Sequence, residues 1–492
     1  MIDRLWLCRV LSPGMVTMTA SLAAPTTTPS AVPLTDTRPR IWPLMLGGFL
    51  ATYLFSIGNI ALPDLQRTLV VPPGPLSLVM GLFAAAFAGT LLIGGRLGDR
   101  YGRRRLFVIG MTGVLLTAVV AALAPTIEVL LAARLMQGAA AAALMPQILA
   151  TVQTILAGRA RAAAIGTFSA TSGVGTVAGQ LVGGAVISLA PDGWGWRAAF
   201  LTAAVVAAVG VIGAFGVPPT ASSRPAGLDP VGSLLTAITM VLLVAGLSLG
   251  PSMGWSGPIM LALLGAAISG VILVLHQRGR ERRGAAALLP PSIVGLPAIR
   301  LGMLMALLFF AGYGAFSYNF SLLTQRGLGT TAMESGLATG LFAAAFVAGS
   351  LIASRLVARL GSRVMQLGAL LQILGLAGLA AISWLGLTPW TWWFQLVGPI
   401  MGVGQALMYA PLVATVMAEV PDRVAGMTGG LISTAQQAAL GLGVATVGSL
   451  FVQLTGILGP LPAMAIATAA QLVLTVGYLL LAQRMRRTSR QA

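Results

Sequence analysis

Gly95-Arg96-Leu97-Gly98-Asp99-Arg100-Tyr101-Gly102-Arg103-Arg104 is a glycine-punctuated run of arginines around one acid, set between two long apolar stretches. A second run, Ser354-Arg355-Leu356-Val357-Ala358-Arg359-Leu360-Gly361-Ser362-Arg363, sits in a corresponding gap later in the chain. Its Arg, Leu, Arg, Gly and Arg fall in register with the first. Two copies of one loop imply two homologous halves with a pathway between them. In the first copy Gly95 and Gly102 suit a tight turn. Asp99 can cap a helix N-terminus and pair with a neighbouring arginine among Arg100, Arg103 and Arg104. Such a pair is a latch, closed in one conformation and broken in the other. The plainer reading is a basic loop that holds one stray acid.

The apolar stretches on either side set the class of the molecule. Of 492 residues, 57% are hydrophobic and 8% charged, against about 25% charged in soluble domains. So few charges cannot cover a soluble surface. Runs of about 20 apolar residues, each able to cross a hydrocarbon layer of about 30 Å, recur along most of the chain. The expected fold is an all-α polytopic membrane protein with the lipid bilayer as its first partner. A net charge of +18 would suggest nucleic acid in a soluble protein. Here the arginines collect in short gaps between apolar spans, which is the positive-inside pattern and excludes that reading. The single Cys8 excludes a disulfide framework and any cysteine-based metal site. His276, beside Arg278 at a span boundary, reads as an ordinary interfacial residue.

Cutting at Pro, Gly and Arg clusters gives fourteen spans, near 41–63, 76–97, 105–124, 126–156, 162–190, 197–216, 231–250, 257–276, 299–324, 332–354, 364–386, 391–418, 426–454 and 461–483. With the N-terminus in the cytoplasm, all of the 29 arginines except Arg67, Arg134, Arg197 and Arg326 fall on that side. Both termini are then cytoplasmic, in a cell (inner or plasma) membrane. The organisation expected is a disordered cytoplasmic tail over 1–40, within which Met15 or Met18 is an alternative start, and a six-helix half over 41–216. A linker with two inserted helices over 217–298, a second six-helix half over 299–485 and a tail over 486–492 complete it.

Other motifs lie inside the spans. Arg134-Leu-Met-Gln137-Gly138 puts a cation within span 4, costly enough to imply a paired or functional role unless it snorkels to the outer surface. Span 5 carries Gly175, Gly179, Gly183 and Gly184 around Gln180, a pliable bend or a plain packing face. Asp229 followed by Pro230 is a good helix start for span 7. Trp390, Trp392 and Trp393 read as an interfacial aromatic belt.

On these residues the chain resembles the major facilitator superfamily, whose loop between spans 2 and 3 reads G-x-L-a-D-r-x-G-r-k. The Arg134 segment looks like the family's R-x-x-q-G, and the span 5 glycines are similar to the antiporter motif of its exporters, with Gln180 where the family has Pro. Asn59-Ile-Ala-Leu-Pro63, Trp196-Arg197, Leu228-Asp229-Pro-x-Gly232 and the stretch from Ala425 to Gly443 resemble the 14-span drug-and-proton antiporter branch. The resemblance implies alternating-access multidrug or antibiotic efflux, coupled to proton entry. One departure matters: the branch carries an Asp in span 1 nine residues before that proline, and here the position is Leu54.

An intramembrane carboxylate is the natural proton carrier, and none of the eleven acids lies at mid-membrane. The remaining coupling candidates are Asp64, just past Pro63, and Glu128, entering span 4, with Arg134 as the partner of an Asp64 that protonates during the cycle. A solvated Asp64 at the outer end of span 1 is the plainer alternative. Without a central carboxylate, neutral, zwitterionic or anionic hydrophobic substrates are favoured over cations. Polar candidates for the cavity lining are Asn59, Gln137, Gln147, Gln180, Tyr313, Tyr318, Asn319, Gln405, Tyr409 and Gln436, each of which has helix-to-helix bonding as its alternative. No nucleophile cluster, metal site or phosphate loop is present, so the reading is a monomeric non-enzyme without cofactor, energised by the proton gradient. A metabolite importer or uniporter on the same fold is the main rival; a non-transporting membrane sensor is the other.

Overall fold

The computed structural model describes residues 40–222, 227–418 and 422–488. Most of the tail expected over 1–40, and Cys8 with it, lies outside the described residues, as does the end of the C-terminal tail. Fourteen helices are long and apolar enough to cross a membrane. The first six are α1 (Trp42–Leu69), α2 (Gly74–Tyr101), α3 (Arg103–Ala122), α4 (Ile127–Ile155), α5 (Gly158–Leu189) and α6 (Gly195–Ala214). Two more follow, α7 (Pro230–Leu249) and α8 (Gly257–Arg282). The last six are α9 (Pro297–Gly327), α10 (Ala332–Ala353), α11 (Arg363–Trp384), α12 (Trp390–Met417), α13 (Thr428–Leu458) and α14 (Pro460–Arg486). No strand occurs among the described residues. Hydrocarbon offers backbone groups no water, so a spanning segment must pair its own N–H and C=O groups, and the α-helix does this within one segment.

The fourteen spans match those read from the sequence, and the differences lie at their ends. α1 runs on through Pro63 to Leu69, and α4 and α12 contain Pro146, Pro399 and Pro411. Proline marks a boundary in water, whereas inside a packed membrane bundle neighbouring groups compensate the freed carbonyl. Two of the span-joining turns repeat one device. Gly102 (φ +104°) ends α2 and Gly361 (φ +57°) ends the helix that continues α10 to Leu360. Both are positive-φ positions, strained for any residue with a side chain, and they are the glycine shared by the two copies of the loop.

Helices α1–α6 pack among themselves, α1 on α5 and α6, α2 on α4, and α3 on α4 and α6. In α9–α14, α9 packs on α13 and α14, α11 on α12 and α14, and α10 on α12. The inserted α7 lies along α2 with α8 behind it, and α13 meets α2 across the halves. Lipid tails are as apolar as leucine, so helices here are held by close approach rather than by water exclusion. A Cβ on Gly175 would stand 2.3 Å from the Phe49 carbonyl oxygen, and one on Gly443 2.0 Å from that of Ala311. The outer surface is correspondingly oily: Leu261, Leu264, Ile268, Val271 and Leu275 of α8 are all exposed.

The tryptophan belt needs correction. Trp392 and Trp393 are exposed, but Trp390 is 2% exposed, stacked on Phe394 at 5.6 Å and donating its indole N–H to Ser383 at 3.0 Å. It is a core residue, because α12 turns that face toward α9 and α11.

Gly443→Val is expected to lower the melting temperature of the detergent-purified protein, since overpacking against a backbone costs about 1–3 kcal/mol. Gly166→Ala, where a Cβ meets nothing within 4 Å, is expected to leave the melting curve in place. Equal curves for the two variants would contradict this packing.

Candidate functional site: the loop, a buried guanidinium and an amide-lined cavity

The two ends of the bundle differ. One carries the arginine loops between α2 and α3 and between α10 and α11, and is called here the arginine-rich end. At that end Asp99 and Arg103, four residues apart across the Gly102 turn, are paired: Arg103 donates from Nε at 3.0 Å and from Nη2 at 2.7 Å to Asp99 Oδ1. The same guanidinium donates from Nη1 to the Ala150 carbonyl at 2.9 Å and to the Thr154 hydroxyl, both on α4. The loop thus clips α4 to α2. Arg100 lies over the ring of Tyr101 and Arg104 donates to the Val217 carbonyl at 3.3 Å. Behind Gly95, Gln147 of α4 donates to the Gly94 carbonyl at 2.9 Å, so this cavity candidate is engaged in helix contact.

Sequence reasoning missed what binds the loop from outside. The linker after α6 is laid along it, with Arg103 N donating to Thr220 O at 2.8 Å and Ser222 N to Asp99 O at 3.1 Å. Arg96 donates to the carbonyls of Gly227 at 2.9 Å and of Ala286 and Ala287 on the linker after α8. Asp229 caps α7 as expected, accepting from Gly232 N at 2.9 Å. It also takes His276 at 2.9 Å and Gln277 at 2.8 Å, with Arg280 at 3.6 Å. Burial acts to raise the Asp229 pKa, but the bonds from His276, Gly232 and Gln277 and the charge of Arg280 outweigh it and hold the carboxyl below its ordinary value. His276 is therefore a partner of a buried carboxylate and not a plain interfacial residue; its spacing from Arg280 on α8 was legible, its contact with a residue 47 positions away was not.

Arg134 is fully buried and does not snorkel. Its Nε donates to the Val79 carbonyl at 2.9 Å and its Nη1 to Gln137 Oε1 at 2.6 Å. Its guanidinium carbon lies 4.3 Å from the Phe83 ring centroid and 5.6 Å from that of Phe200. No ion pair to it occurs among the described residues. A Cβ on Gly58 would meet Arg134 Nη2 at 3.2 Å, and Asp64 lies six residues further along α1, about 9 Å at the helical rise. The expected Asp64–Arg134 partnership is accordingly not a contact in this conformation. Nor is Asp64 solvated: it is 6% exposed, accepts the Trp196 backbone N–H at 2.8 Å, and pairs with the largely exposed Arg67 at 2.7 Å. Glu128 is exposed at the start of α4 and away from Arg134.

The halves meet along α2 and α13, as far as Gly430 beside Leu92, and are hydrogen-bonded at the end opposite the arginines. Ser321 Oγ donates to Asn59 O at 2.8 Å, Gln325 Nε2 to Ile60 O at 3.1 Å, and Arg326 to Gln66 Oε1. Gly175, Gly179 and Gly183 face α1, whereas Gly184 faces α10, where a Cβ would stand 2.5 Å from Ala332 O. Gln180 belongs to the same junction, its carbonyl against Gly336. α5 is continuous through Gln180. At its other end Ala163 and Ile165 to Thr167 are all exposed. Ala164 between them is 3% exposed and packs into the core of the first half, so this end of α5 keeps one face on its neighbours.

Inside the second half a cavity of about 20 Å³, room for a single water-sized group, is lined by Tyr313 and Gln405 together with Gln372, Gln471 and Tyr478. The last three were missed, although Gln372 and Gln471 are amides in apolar spans and were visible on that ground. Gln372 Oε1 and Gln471 Nε2 are buried without a hydrogen-bond partner. Beside this cavity Gln436 donates to Tyr409 Oη at 2.9 Å, and Tyr409 stacks on Phe309 at 5.9 Å. Phe55 of α1 faces Tyr313 at 6.4 Å, so the first half supplies the opposing ring. Asn59 donates to Phe55 O at 3.2 Å, Asn319 is buried on α9, and Tyr318 lines a separate cavity near α7. No group of three or more metal-ligating side chains occurs among the described residues.

Comparison with known proteins agrees with this architecture. Solved structures of a POT family transporter, PepTSo (TM-score 0.66, 14% identity, covering 92% of this chain and 99% of that one), and of a D-xylose-proton symporter (TM-score 0.62, 16% identity, 90% and 96%) share the fold. Among curated relatives, the probable actinorhodin transporter of Streptomyces coelicolor is 32% identical over 420 residues, 82% of this chain and 70% of that protein. The puromycin resistance protein pur8 of Streptomyces alboniger is 33% identical over 407 residues, 79% and 77%. The cephamycin export protein CmcT of Amycolatopsis lactamdurans is 31% identical over 416 residues, 80% and 82%. Residues 44–444 match the sequence profile of the Major Facilitator Superfamily. With fourteen membrane helices, the paired signature loop and relatives of this kind, the chain belongs to the Major Facilitator Superfamily and is a membrane transporter rather than an enzyme.

Proposed function

We propose that this protein exports hydrophobic small molecules, of the drug or antibiotic kind, by alternating access of its two halves in antiport with protons. The arginine-rich end would face the cytoplasm of a cell (inner or plasma) membrane, as the positive-inside rule requires. Both termini would then be cytoplasmic and the unit a monomer. The observation that carries the reading is the asymmetry between the two ends. The hydrogen bonds that join the halves, at Asn59, Ile60 and Gln66, lie opposite the arginines. Halves joined at the outer end are what the loading state of an exporter requires. Relatives named for antibiotic export and resistance support the direction.

The substrate would meet Tyr313, Gln405, Tyr409 and Gln436 from one half and Phe55 from the other. Amides, phenols and rings contact varied neutral or anionic groups, and no carboxylate among the described residues stands in this region to hold a cation. For coupling, the buried carboxylates among the described residues are Asp229 and Asp64. Asp229 has four donors about it; Asp64 has an exposed arginine and one backbone N–H, and exposed ion pairs contribute little. Asp64 is thus the carboxylate we assign to coupling, acting on Arg134 through α1 rather than by direct contact. Leu54 at the branch's usual acidic position is the one feature that favours a uniporter instead.

In inverted vesicles, an imposed pH gradient is expected to drive uptake of a neutral dye in preference to a cationic one, and an uncoupler to abolish it. Indifference to the gradient would favour the uniporter. Asp64→Asn keeps an oxygen for the Trp196 N–H but cannot ionise, so transport is expected to persist downhill and lose its response to the gradient. An unchanged response would remove Asp64 from the mechanism. Arg134→Lys keeps the charge but not the planar set of donors. It is expected to cut transport about tenfold, the loss that goes with about one buried charged hydrogen bond; wild-type rates would contradict the geometry of this site.

A further inference from the structure

A second cavity lies where the inserted pair meets both halves, near the end opposite the arginines, and nothing in the transport reading uses it. It measures about 150 Å³, many times the space one water needs. Ser248, Pro251 and Ser252 at the end of α7 and in the turn before α8 form one wall, Tyr318 of α9 and Ser449 and Val452 of α13 the other. The start of α2 closes it at Gly74. Gln453 of α13 donates to the Pro251 carbonyl at 3.0 Å, which ties the two walls together.

Two features set this cavity apart from a packing gap. Tyr318 is 0% exposed and Ser248 1% exposed, and both hydroxyls are buried without a hydrogen-bond partner. A buried hydroxyl left unpaired is costly, so two beside one cavity point to a polar occupant. The wall is also built around an irregular helix. Val444–Gly448 of α13 is a π turn immediately before Ser449, and a Cβ on Gly448 would meet the Tyr318 ring at 3.0 Å, so the phenol is held in place by that turn. π turns inside membrane helices recur at functional sites.

We infer that this cavity is a binding site for a small uncharged amphiphile, a ring or short alkyl body carrying one hydroxyl or carbonyl group. The hydroxyl or carbonyl would complete the hydrogen bonding of Tyr318 and Ser248, and the body would lie against Val452 and Pro251. No carboxylate, guanidinium or imidazole lines the site, so a charged ligand would be held without a counter-charge, which is disfavoured. The inserted pair then has a chemical role: its turn supplies one wall of the site, and an occupant touches both halves at once. This inference does not rest on the direction or coupling of transport.

The test is equilibrium binding of radiolabelled 4-isopropylphenol to the purified full-length protein, with 4-isopropyltoluene as the same shape lacking the hydroxyl. Tyr318→Phe and Ser248→Ala each remove an unpartnered hydroxyl and nothing else, so neither is expected to lower the melting temperature. Each is expected to weaken the phenol about fivefold, the usual effect of one hydrogen bond, and to leave the toluene unchanged. No saturable binding of the phenol to the wild-type protein would overturn the inference. So would equal affinity of the wild type and both variants, or a toluene that binds as tightly as the phenol.

Discussion

Close approach of backbones holds this molecule together. With lipid on the outside there is no water to expel between helices, and attraction must come from contact, which small residues make possible. Glycine decides where that contact falls. Gly175, Gly179 and Gly183 seat α5 on α1, and Gly443 seats α13 on α9, at distances that leave no room for a methyl group. The same device recurs between the halves, where Gly184 meets the start of α10, Gly336 meets Gln180, and Gly430 and Gly441 of α13 meet α2. Contacts within a half are continuous along the helices. Those between the halves beside α5 lie at the end opposite the arginines, while α2 and α13 stay in contact further along.

Charge is handled in two ways. At the arginine-rich end it is abundant and tied to backbone: Arg103 links α2, α3 and α4, and Arg96 and Arg104 hold the linkers that lead to and from the inserted pair. The inserted helices are therefore moored to the signature loop, and movement of that loop carries to them. Inside the bundle charge is scarce. Arg134 is accommodated by a carbonyl, an amide and two aromatic faces instead of an anion. A guanidinium spreads its charge over a plane that such neutral partners can match. Asp64 is kept apart on the next stretch of α1, bonded to the start of α6.

Most of the architecture was legible in sequence, because hydrophobic length, arginine asymmetry and the repeated loop are local signals. The helix ends at Pro63 and the place of Trp390 were not: both depend on which neighbours surround a residue that is polar-tolerant or amphipathic in isolation. The pairing within the loop was legible at Asp99 and Arg103, four residues apart. The contacts of Asp229 with His276 and of Arg96 with Ala287 join elements far apart in the chain, and no periodicity announces them. The cavity amides were half legible. Tyr313 and Gln405 were named beside Gln137 and Gln147, which the structure engages in helix contacts, and Gln372 and Gln471 carry the same chemistry but lie in spans whose motifs drew no attention.

The account turns on the two halves exchanging which end is closed, and distance measurement between spin labels tests this directly. With Cys8→Ser as background, one pair of cysteines at Val182 and Leu337 reports the end opposite the arginines, and a second at Thr167 and Ala358 reports the arginine-rich end; all four positions are exposed. On adding a transported substrate and acidifying the outer side, the first distance is expected to lengthen while the second shortens. Two distances that rise and fall together, or that do not change, would contradict alternating access by these halves.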